Sequence, residues 1–468
     1  MLTYQDYLRE VKTDTDKINF IQKAINQHVN SDDYKKAVEA YEYYRQRNTA
    51  IMQYQKILYT VTGKPVEDVF SANHKTTSNF FYKIITQMIQ YSLGNGLLFK
   101  NEETKEKFAD DIDLEIKKIF RYAAIEKISF GFYNNGRIEC FKITEFVPLW
   151  DEEDGSLKAG IRFWQVDSSK PLRATLFELD GYTEYIREKS QPMKILRDKQ
   201  KYIKYKQTSE IYGTEIFDGE NYPTFPIIPA YCSDKKQSML EGIKEQIDAY
   251  DFIKSGFAND LDDATQIYWL LQNTGGMDDV DLAKFMQRLK TTKIANIDAD
   301  EGGALTPYTI QVPYQSREVY LERLEKDIYS DAMALNVSSI QAGNITATQI
   351  KAAYEDINLR ADAFEEQVLE FMQAVFVLAG IEDEKITFNR SKVANTQEEI
   401  QTILSTGDLL PMEYKVRKIM VLLGDIDHIV EVLDMLKAES LAMMNQNVEQ
   451  EQEQEESKEE DNVEGEEA

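Results

Sequence analysis

The sequence has 468 residues, and 42% of them are hydrophobic, so it can form a large core; its length suggests about three domains, or fewer if one is extended. It carries 54 basic and 82 acidic residues, a net charge of -28. Because an acidic surface repels phosphate groups, this balance argues against a conventional DNA-binding protein held on by phosphate contacts.

The cysteines and histidines are few and scattered along the chain: Cys140, Cys232, His28, His74 and His428. Neither a disulfide framework nor a CxxC metal site can be built from them, so we expect lone buried thiols. The N-terminus lacks the basic and then apolar run of a signal peptide. No apolar stretch approaches the ~18 residues of a membrane span, and we therefore expect a soluble protein made in the cytoplasm.

Residues 1 to about 60 have helical patterning, most clearly from Tyr34 to Met52. A further amphipathic helix is predicted within 78–100, and Gly94 and Gly96 predict its end before an apolar strand. Gly94-Asn95-Gly96 lacks the third glycine of a dinucleotide motif, and no P-loop motif occurs, so the sequence predicts no nucleotide pocket.

Acidic residues open the next predicted helix, from Asp113 to Ala124; they are Asp110, Asp111, Asp113 and Glu115. Acids near a helix N-terminus complement its dipole. A metal cluster is the alternative, but hard-cation sites need ligands that converge from more than one turn, so we favour the dipole interpretation. Asp151 to Gly155 is acidic like a calcium loop, but its spacing is wrong, and it predicts a turn.

Strand patterning replaces helical patterning from Phe130 to Thr224. Alternating runs such as Leu157–Trp164 and Thr175–Tyr185 are separated by pairs that favour hairpin turns. These pairs are Asn135-Gly136, Asp154-Gly155 and Asp180-Gly181.

Two long amphipathic helices are predicted in the middle of the chain, from about Ser238 to Asp262 and from about Ser316 to Leu335. The first follows Pro223, Pro226 and Pro229, and would be roughly 35 to 40 Å long. Between the two helices lie short segments with little core of their own: Gln266–Leu271, a helix around Val280–Leu289, Lys293–Ile297, a turn at Asp300–Gly303, and Tyr308–Val312. Pattern alone favours a helical hairpin in an ordinary core.

The last part of the chain begins with a small, polar loop, Asn336–Thr346, before a predicted helix from Ala347 to Leu378 that Thr346 or Thr348 can cap. Helical segments in 395–445 are separated at Ser405–Asp408 and at Gly424-Asp425. The residues after Asn445 are strongly acidic and predict a disordered tail.

The first long helix and its approach carry three short motifs: Ser238-x-Leu240-Glu241-x-Ile243-Lys244, Ile247-Asp248-Ala249-Tyr250-Asp251, and Ser255, Asn259, Leu261 and Asp262. These motifs resemble the segment that leads into the stem of tailed-bacteriophage portal proteins, the head-to-tail connectors, of the siphophage type. Tyr43-Tyr44-Arg45 is similar to an early family element, although the glycine that often follows is Gln46 here.

The resemblance implies an α+β, mostly helical portal fold whose subunits assemble into a cyclic ring. The implied regions are a wing in 1–235, a first stem helix in 236–263, a clip in 264–315, a second stem helix in 316–335, a tunnel loop and long kinked wing helix in 336–390, a crown in 391–445, and the disordered acidic tail in 446–468.

The implied function is a channel at one capsid vertex, a dodecamer by resemblance, through which double-stranded DNA is packaged and ejected. Its partners would be further copies of itself, a terminase ATPase, a head-completion protein at the clip, and the capsid and scaffold proteins, with no membrane, cofactor or enzymatic activity. The protein would lie at the portal vertex of the virion after assembly in the host cytoplasm. An acidic wall fits a conduit, since DNA must slide without being gripped.

The residues expected to face DNA are Gln341, Asn344, Gln349 and Lys351 in the tunnel loop and following helix, with Lys254, Arg323 and Lys326 as possible stem lining. The family often has Ser-Gly before this helix, where Ala347 and Thr348 stand here. From the residues alone, a plain interhelical loop with a capping threonine is the preferred interpretation of 336–346. An acidic helical adaptor and a metal-dependent nuclease are the alternative functions, although the sequence holds no recognisable catalytic constellation.

Overall fold

The computed structural model describes residues 2–59, 62–68, 71–189, 191–209, 213–264, 268–272, 304–308, 314–337, 352–390, 396–423 and 428–439, together with Lys284 and Asp425. The chain divides into two compact units, Met1–Ser391 and Lys392–Ala468. It is 50% helical with 19% strand, which confirms the predicted α+β class.

The first unit begins with four helices: α1 Tyr4–Glu10, α2 Asp14–Val29, α3 Asp32–Tyr44 and α4 Thr49–Gln53. Capping boxes start α1 and α2, with Thr3 bonded to Asp6 and Thr13 to Asp16. The helical run predicted from 34 to 52 is interrupted because Gln46 has a φ of 58° and cannot continue a right-handed helix. A hairpin of β1 Ile57–Tyr59 and β2 Pro65–Glu67 follows.

The main core forms around two helices, α5 Phe80–Leu93 and α7 Ile112–Glu126. Between them lie β3 Leu97–Phe99 and α6 Glu102–Lys105. The observed α7 matches the predicted helix to within two residues at each end, and its apolar positions are buried except for Leu114, which is exposed, and Tyr122, which is half-buried. Phe120 of α7 packs edge-on against two later phenylalanines, Phe364 at 5.4 Å and Phe371 at 5.7 Å between ring centroids.

The strand region contains β4 Ser129–Asn134, β5 Arg137–Lys142, β6 Phe146–Trp150, β7 Leu157–Trp164, β8 Leu172–Glu178, β9 Gly181–Arg187, β10 Lys194–Gln200, β11 Lys204–Ser209, β12 Gly213–Asp218 and β13 Ile227–Ala230. Strands β6 to β10 form an antiparallel meander, and β13-β4-β5 form a second sheet against α7. The predicted run Thr175–Tyr185 is two strands, and the turn between them is Leu179-Asp180, one position before the predicted Asp180-Gly181.

The predicted turn at Asn135-Gly136 joins β4 to β5, and both of its residues have positive φ, 48° and 82°. These are the dihedral signs of a type I′ hairpin turn, whose twist matches that of the strands. The Asn-Gly pair therefore sets the register of the β4–β5 hairpin.

The two long helices in the middle of the chain are α8 Lys244–Ala264 and α9 Tyr314–Asp331. Helix α8 begins six residues after the predicted Ser238, because the Ser238 hydroxyl donates to the carbonyl of Ile125 at 2.6 Å and the Met239 N–H to that of Ala124 at 3.0 Å. These bonds fix 238–243 as turns against the end of α7.

The segment between α8 and α9 contains β14 Tyr268–Gln272, paired antiparallel with β15 Ala304–Tyr308. Strand β14 overlaps the predicted Gln266–Leu271, and β15 shares Tyr308 with the predicted segment 308–312, whose other residues lie outside the described ones. The predicted segments 280–289, 293–297 and 300–303 lie outside the described residues, apart from Lys284.

The first unit ends with α10 Glu355–Ala379 and β16 Ile386–Phe388, which pairs with β3. Helix α10 ends at Gly380, which takes the left-handed conformation (φ 64°) that glycine favours. The predicted beginning of this helix, 347–351, lies outside the described residues.

The second unit contains α11 Thr396–Ser405, a 3-10 turn Gly407–Leu409, α12 Met412–Leu423 and helical residues 429–439. The break predicted at Ser405–Asp408 is present. The acidic tail after Asn445 lies outside the described residues. Both cysteines are free and buried, as predicted, and no helix among the described residues is long and apolar enough to cross a membrane.

Candidate functional site

Helices α8 and α9 lie side by side in antiparallel orientation. Arg317 near the start of α9 pairs with Asp260 near the end of α8 at 2.5 Å, and Gln246 near the start of α8 donates to Asp331, the last residue of α9. Both pairs fit a single antiparallel alignment of α8 with α9. The sequence predicts the two helices, and the structure adds their pairing.

Aromatic packing joins this helix pair to the core. Phe80 of α5 lies edge-on to Tyr250 of α8, with ring centroids 4.9 Å apart, and to Tyr329 of α9, 5.9 Å apart. Ile247 and Ile328 are 1% and 0% exposed beside them. The pair is therefore held firmly at one end, where the start of α8 meets the end of α9.

Residues 71–79, which we call the strap, run along α8 without regular secondary structure. N–H groups from every second residue of the strap donate to α8 side chains: Ser78 to Asp251 at 2.8 Å, Thr76 to Ser255 at 2.9 Å, and His74 to Asn259 at 2.6 Å. The order of these partners shows that the strap runs antiparallel to the helix.

The spacing of the strap bonds follows from backbone geometry. The three acceptors on α8 are four residues apart, about 6 Å along a helix. Alternate residues of an extended chain are about 6.6 Å apart and present their N–H groups in the same direction. Successive donors therefore meet successive acceptors with little distortion.

The strap bond nearest the core is buried. Asp251 is 0% exposed, and its second oxygen accepts from the side-chain amide of Asn48, which also donates to the Ser78 carbonyl at 3.2 Å. Burial raises the pKa of the Asp251 carboxyl, and the bonds from Asn48 and Ser78 oppose that rise.

The far end of the strap is open to solvent. The imidazole Nε2 of His74 lies 2.6 Å from Asp262, and both side chains are about half exposed. At the other end of the same helical stripe, the Tyr43 hydroxyl donates to Asp248. Polar acceptors thus follow α8 at positions 248, 251, 255, 259 and 262, the three- and four-residue steps of one helix face.

Sequence reasoning singled out all five residues of this stripe, Asp248, Asp251, Ser255, Asn259 and Asp262, but by resemblance and without a physical role. The strap itself was missed. The sequence contained part of the information needed to find it. Helix α8 has a polar stripe with helical spacing next to its apolar stripe, and such a stripe indicates that the helix binds a second partner.

The structure places the predicted stem residues as follows. Lys254 of α8 is half-buried, with its ammonium 5.8 Å from the centre of the Tyr250 ring. Arg323 of α9 pairs with Asp327 at 3.0 Å, and Lys326 is exposed one turn along the same helix. Whether they face a channel stays a prediction. The predicted tunnel residues, Gln341, Asn344, Gln349 and Lys351, lie outside the described residues.

Two arginines that the sequence did not reveal connect α10 to its surroundings. Arg390 bonds both oxygens of Glu365 at 2.8 Å and also pairs with Asp362. Arg360 donates to the carbonyl of Ala332, just after α9, and its burial lowers the pKa of the guanidinium to about 10. Arg360 thereby ties the end of α9 to α10 with a positive charge, which suits a helix C-terminus.

The acids at the start of α7 have structural partners. Asp113 pairs with Lys105 at 2.8 Å and accepts from the Leu97 N–H at 2.9 Å, while Glu115 pairs with Lys118 at 3.2 Å. Within the described ranges, no group of three or more His, Cys, Asp or Glu side chains has an arrangement that could hold a metal ion.

Comparison with known proteins identifies the family. Residues 23–466 match the model of the family described as phage portal protein, SPP1 Gp6-like. The chain belongs to the phage portal proteins. A portal protein of Clostridium phage phiCD119 is 24% identical over 411 residues, which cover 81% of this chain and 88% of that protein. The portal protein of Bacillus phage SPP1 is 22% identical over 467 residues, which cover 89% and 87%.

The predicted resemblance is therefore confirmed, and with it the general portal role as a channel for DNA at the head-to-tail connection. Portal proteins are structural rather than enzymatic as a family, and they self-assemble and act with capsid, terminase and DNA. Membership of this family favours a portal over the adaptor and nuclease alternatives.

Proposed function

We propose that this portal chain forms a closed cyclic ring, a dodecamer, whose central tunnel carries double-stranded DNA into and out of the capsid. The observation that carries the proposal is the antiparallel α8–α9 pair, which brackets β14 and β15. In the proposed arrangement the pair is the stem, 264–315 is the clip, 1–235 with 336–390 forms the wing, and 391–445 is the crown.

The strands between the two helices support an assembly role for the clip. Strands β14 and β15 form a two-stranded sheet in the described residues, with five paired positions. A sheet of two strands is marginal alone. In the ring, a neighbouring subunit would complete it, and a head-completion protein would dock on the assembled clip.

Charge supports a conduit rather than a binding site. At a net charge of -28 per chain, the ring wall repels the DNA backbone over roughly a Debye length of about 8 Å. Sparse cations, Lys254, Arg323 and Lys326 in the stem, would interrupt that repulsion without holding the DNA. In the tunnel loop, Gln341, Asn344, Gln349 and Lys351 would touch it.

Translocation would draw its energy from a separate terminase ATPase. Capsid and scaffold proteins would surround the wing at the portal vertex of the virion, after assembly in the host cytoplasm. The chain itself would need no cofactor for this role.

The test is the mass of the purified full-length protein by native mass spectrometry, with negative-stain images of the same sample. A ring of about a dozen 54.2 kDa chains around a central hole is the expected result. A monomer that also stays monomeric with its scaffold protein would contradict the proposal.

A further inference from the structure

The hairpin β1–β2 exposes large apolar side chains on both of its faces. The exposed fractions are 51% for Ile57, 47% for Leu58, 74% for Tyr59 and 51% for Val66. Leu58 lies opposite Val66 across the hairpin, so these two share one face, and Ile57 and Tyr59 lie on the other. Neither face of the hairpin is covered by the described part of the same chain.

The base of this hairpin is fixed to the protein. The Asp68 N–H donates to the Lys56 carbonyl at 2.8 Å, and the Asp68 side chain accepts from the Ser71 N–H at 3.0 Å. Before the hairpin, Tyr54 packs edge-on against Phe252 of α8, with ring centroids 5.2 Å apart. After it, the strap binds along the same helix. The hairpin is thus an apolar projection whose two flanking segments both contact α8.

We propose that this hairpin is the arm by which one copy of the chain docks on the next copy in the ring, an inference that rests on the proposed ring assembly. Its mount on α8 sets the position of the arm relative to the helix pair. The docking surface consists of Ile57, Leu58, Tyr59 and Val66.

Charge favours a second copy as the partner. Two chains that each carry -28 repel one another, so a contact between them needs a segment of little charge. Strands β1 and β2 together contain one charged residue, Glu67. The arm can therefore approach an acidic neighbour without adding to the repulsion.

The available area fits a repeated contact. The four side chains expose on the order of 400 Å² of apolar surface, about half of what one partner contributes to a standard interface. That area is small for an isolated pair of proteins. In a ring every subunit makes the contact twice, once with its own arm and once with its neighbour's, and the closed arrangement adds further surfaces.

The first experiment removes the apolar surface without adding charge. The variant is Leu58→Thr plus Tyr59→Thr, which keeps residues that favour strands. Its control is Leu114→Gln plus Val166→Thr, which changes two residues outside the hairpin that are 63% and 85% exposed. We expect the hairpin variant to fold with an unchanged circular dichroism spectrum and to lose ring assembly by about tenfold or more at a given concentration, while the control assembles normally.

The second experiment identifies the partner. Tyr59→p-benzoylphenylalanine places a photoreactive group on the arm of the full chain, and irradiation of the assembled rings should give covalent species of two and more chain masses. Capture of a capsid or scaffold protein in place of a second copy would overturn the inference, as would normal rings from the threonine variant. If the unsubstituted protein forms no ring, that result contradicts the proposed function itself, and the inference about the hairpin is then wrong as well.

Discussion

The N–H of Ser78 donates to the carboxylate of Asp251 at 2.8 Å in a site closed to solvent. This bond connects a segment without regular structure to the middle of a long helix, 173 residues away in sequence. It fixes where the strap begins to follow α8, and the partly buried bond at 76 and the exposed bond at 74 then continue in register.

Replacing Asp251 should destabilise the protein strongly. In Asp251→Ala the Ser78 N–H and the Asn48 amide lose their buried acceptor, which costs about 2 to 4 kcal/mol. Urea unfolding measures the loss. Asp251→Asn retains one acceptor oxygen but turns a second amide towards Asn48, so an intermediate loss is expected. Equal stability of Asp251→Ala and the unsubstituted protein would show that the strap bond contributes nothing.

A proline at Thr76 should release the strap while an alanine should not. The Thr76 N–H donates to Ser255 at 2.9 Å, and proline has no N–H to give. We expect Thr76→Pro to increase hydrogen exchange in 71–79 and to lower the free energy of unfolding by about 1 to 3 kcal/mol. Thr76→Ala keeps the main-chain donor, so hydrogen exchange and stability should both stay unchanged. The same loss in both variants would assign the effect to the side chain instead.

Glycine at position 46 should stabilise the chain. Gln46 has a φ of 58°, which is strained for a residue with a Cβ and free of strain for glycine. Its amide bond to the Thr77 carbonyl at 3.1 Å is exposed and offsets little of that strain. Gln46→Gly is expected to raise the free energy of unfolding by about 0.5 to 1 kcal/mol. Gln46→Val is the opposite control, and it should lower stability, because a β-branched residue tolerates this conformation least.

Stability should depend on pH through Glu126, whose carboxyl is 2% exposed at the end of α7. Burial raises its pKa from 4.5 to about 8, with bonds from the N–H groups of Thr144 and Ile143 opposing the rise. Between these values the folded chain holds a proton that the unfolded chain has released. The contribution is therefore complete below pH 4.5 and is lost as the pH rises through about 8, at up to about 1.4 kcal/mol per pH unit.

Glu126→Gln isolates this contribution because it cannot ionise. From about pH 5.5 to about pH 7.5, the stability of the unsubstituted protein relative to the variant should fall by about 2 to 3 kcal/mol in urea unfolding. Burial lowers the pKa of His28, so the contribution of His28 to protein stability is lost as the pH falls. Because His28 is present in both proteins, this contribution cancels in the comparison. A relative stability that does not change with pH would place the Glu126 carboxyl in contact with water.

The proposed DNA contact in the tunnel loop can be tested by charge. Asn344→Asp plus Lys351→Glu makes the loop more acidic, so it should leave ring assembly intact and lower the DNA packaged per capsid, measured as nuclease-protected DNA. The control, Asn447→Asp plus Lys458→Glu, makes the same charge change in the acidic tail. Normal packaging by the loop variant would remove the DNA contact from 341–351.

Sequence patterns predicted those elements whose neighbours along the chain decide their conformation. The apolar spacing of α7, the alternation of Leu157–Trp164 and the Asn135-Gly136 turn all appear in the structure within two residues. Each is a local property of side-chain period or backbone preference. The family motifs within 247–262 lie on α8, the helix that binds the strap.

What the sequence did not predict depends on partners that are distant in the chain. The residues near Thr76 do not predict that its N–H donates to Ser255. Likewise, the apolar run Ile57–Tyr59 predicts buried side chains, whereas they are exposed. The delayed start of α8 has the same origin, because Ser238 bonds to Ile125 across the fold.

The use of main-chain donors by the strap has a consequence for how such a chain can diverge. Substitutions within 71–79 leave the donated N–H groups in place, provided that proline is avoided at 74, 76 and 78. Insertion or deletion of one residue between 74 and 78 would instead move a donor to the wrong side of the segment and away from the helical stripe. Related chains of less than 25% identity can therefore form the same attachment if they keep the length of this segment, even when most of its residues differ.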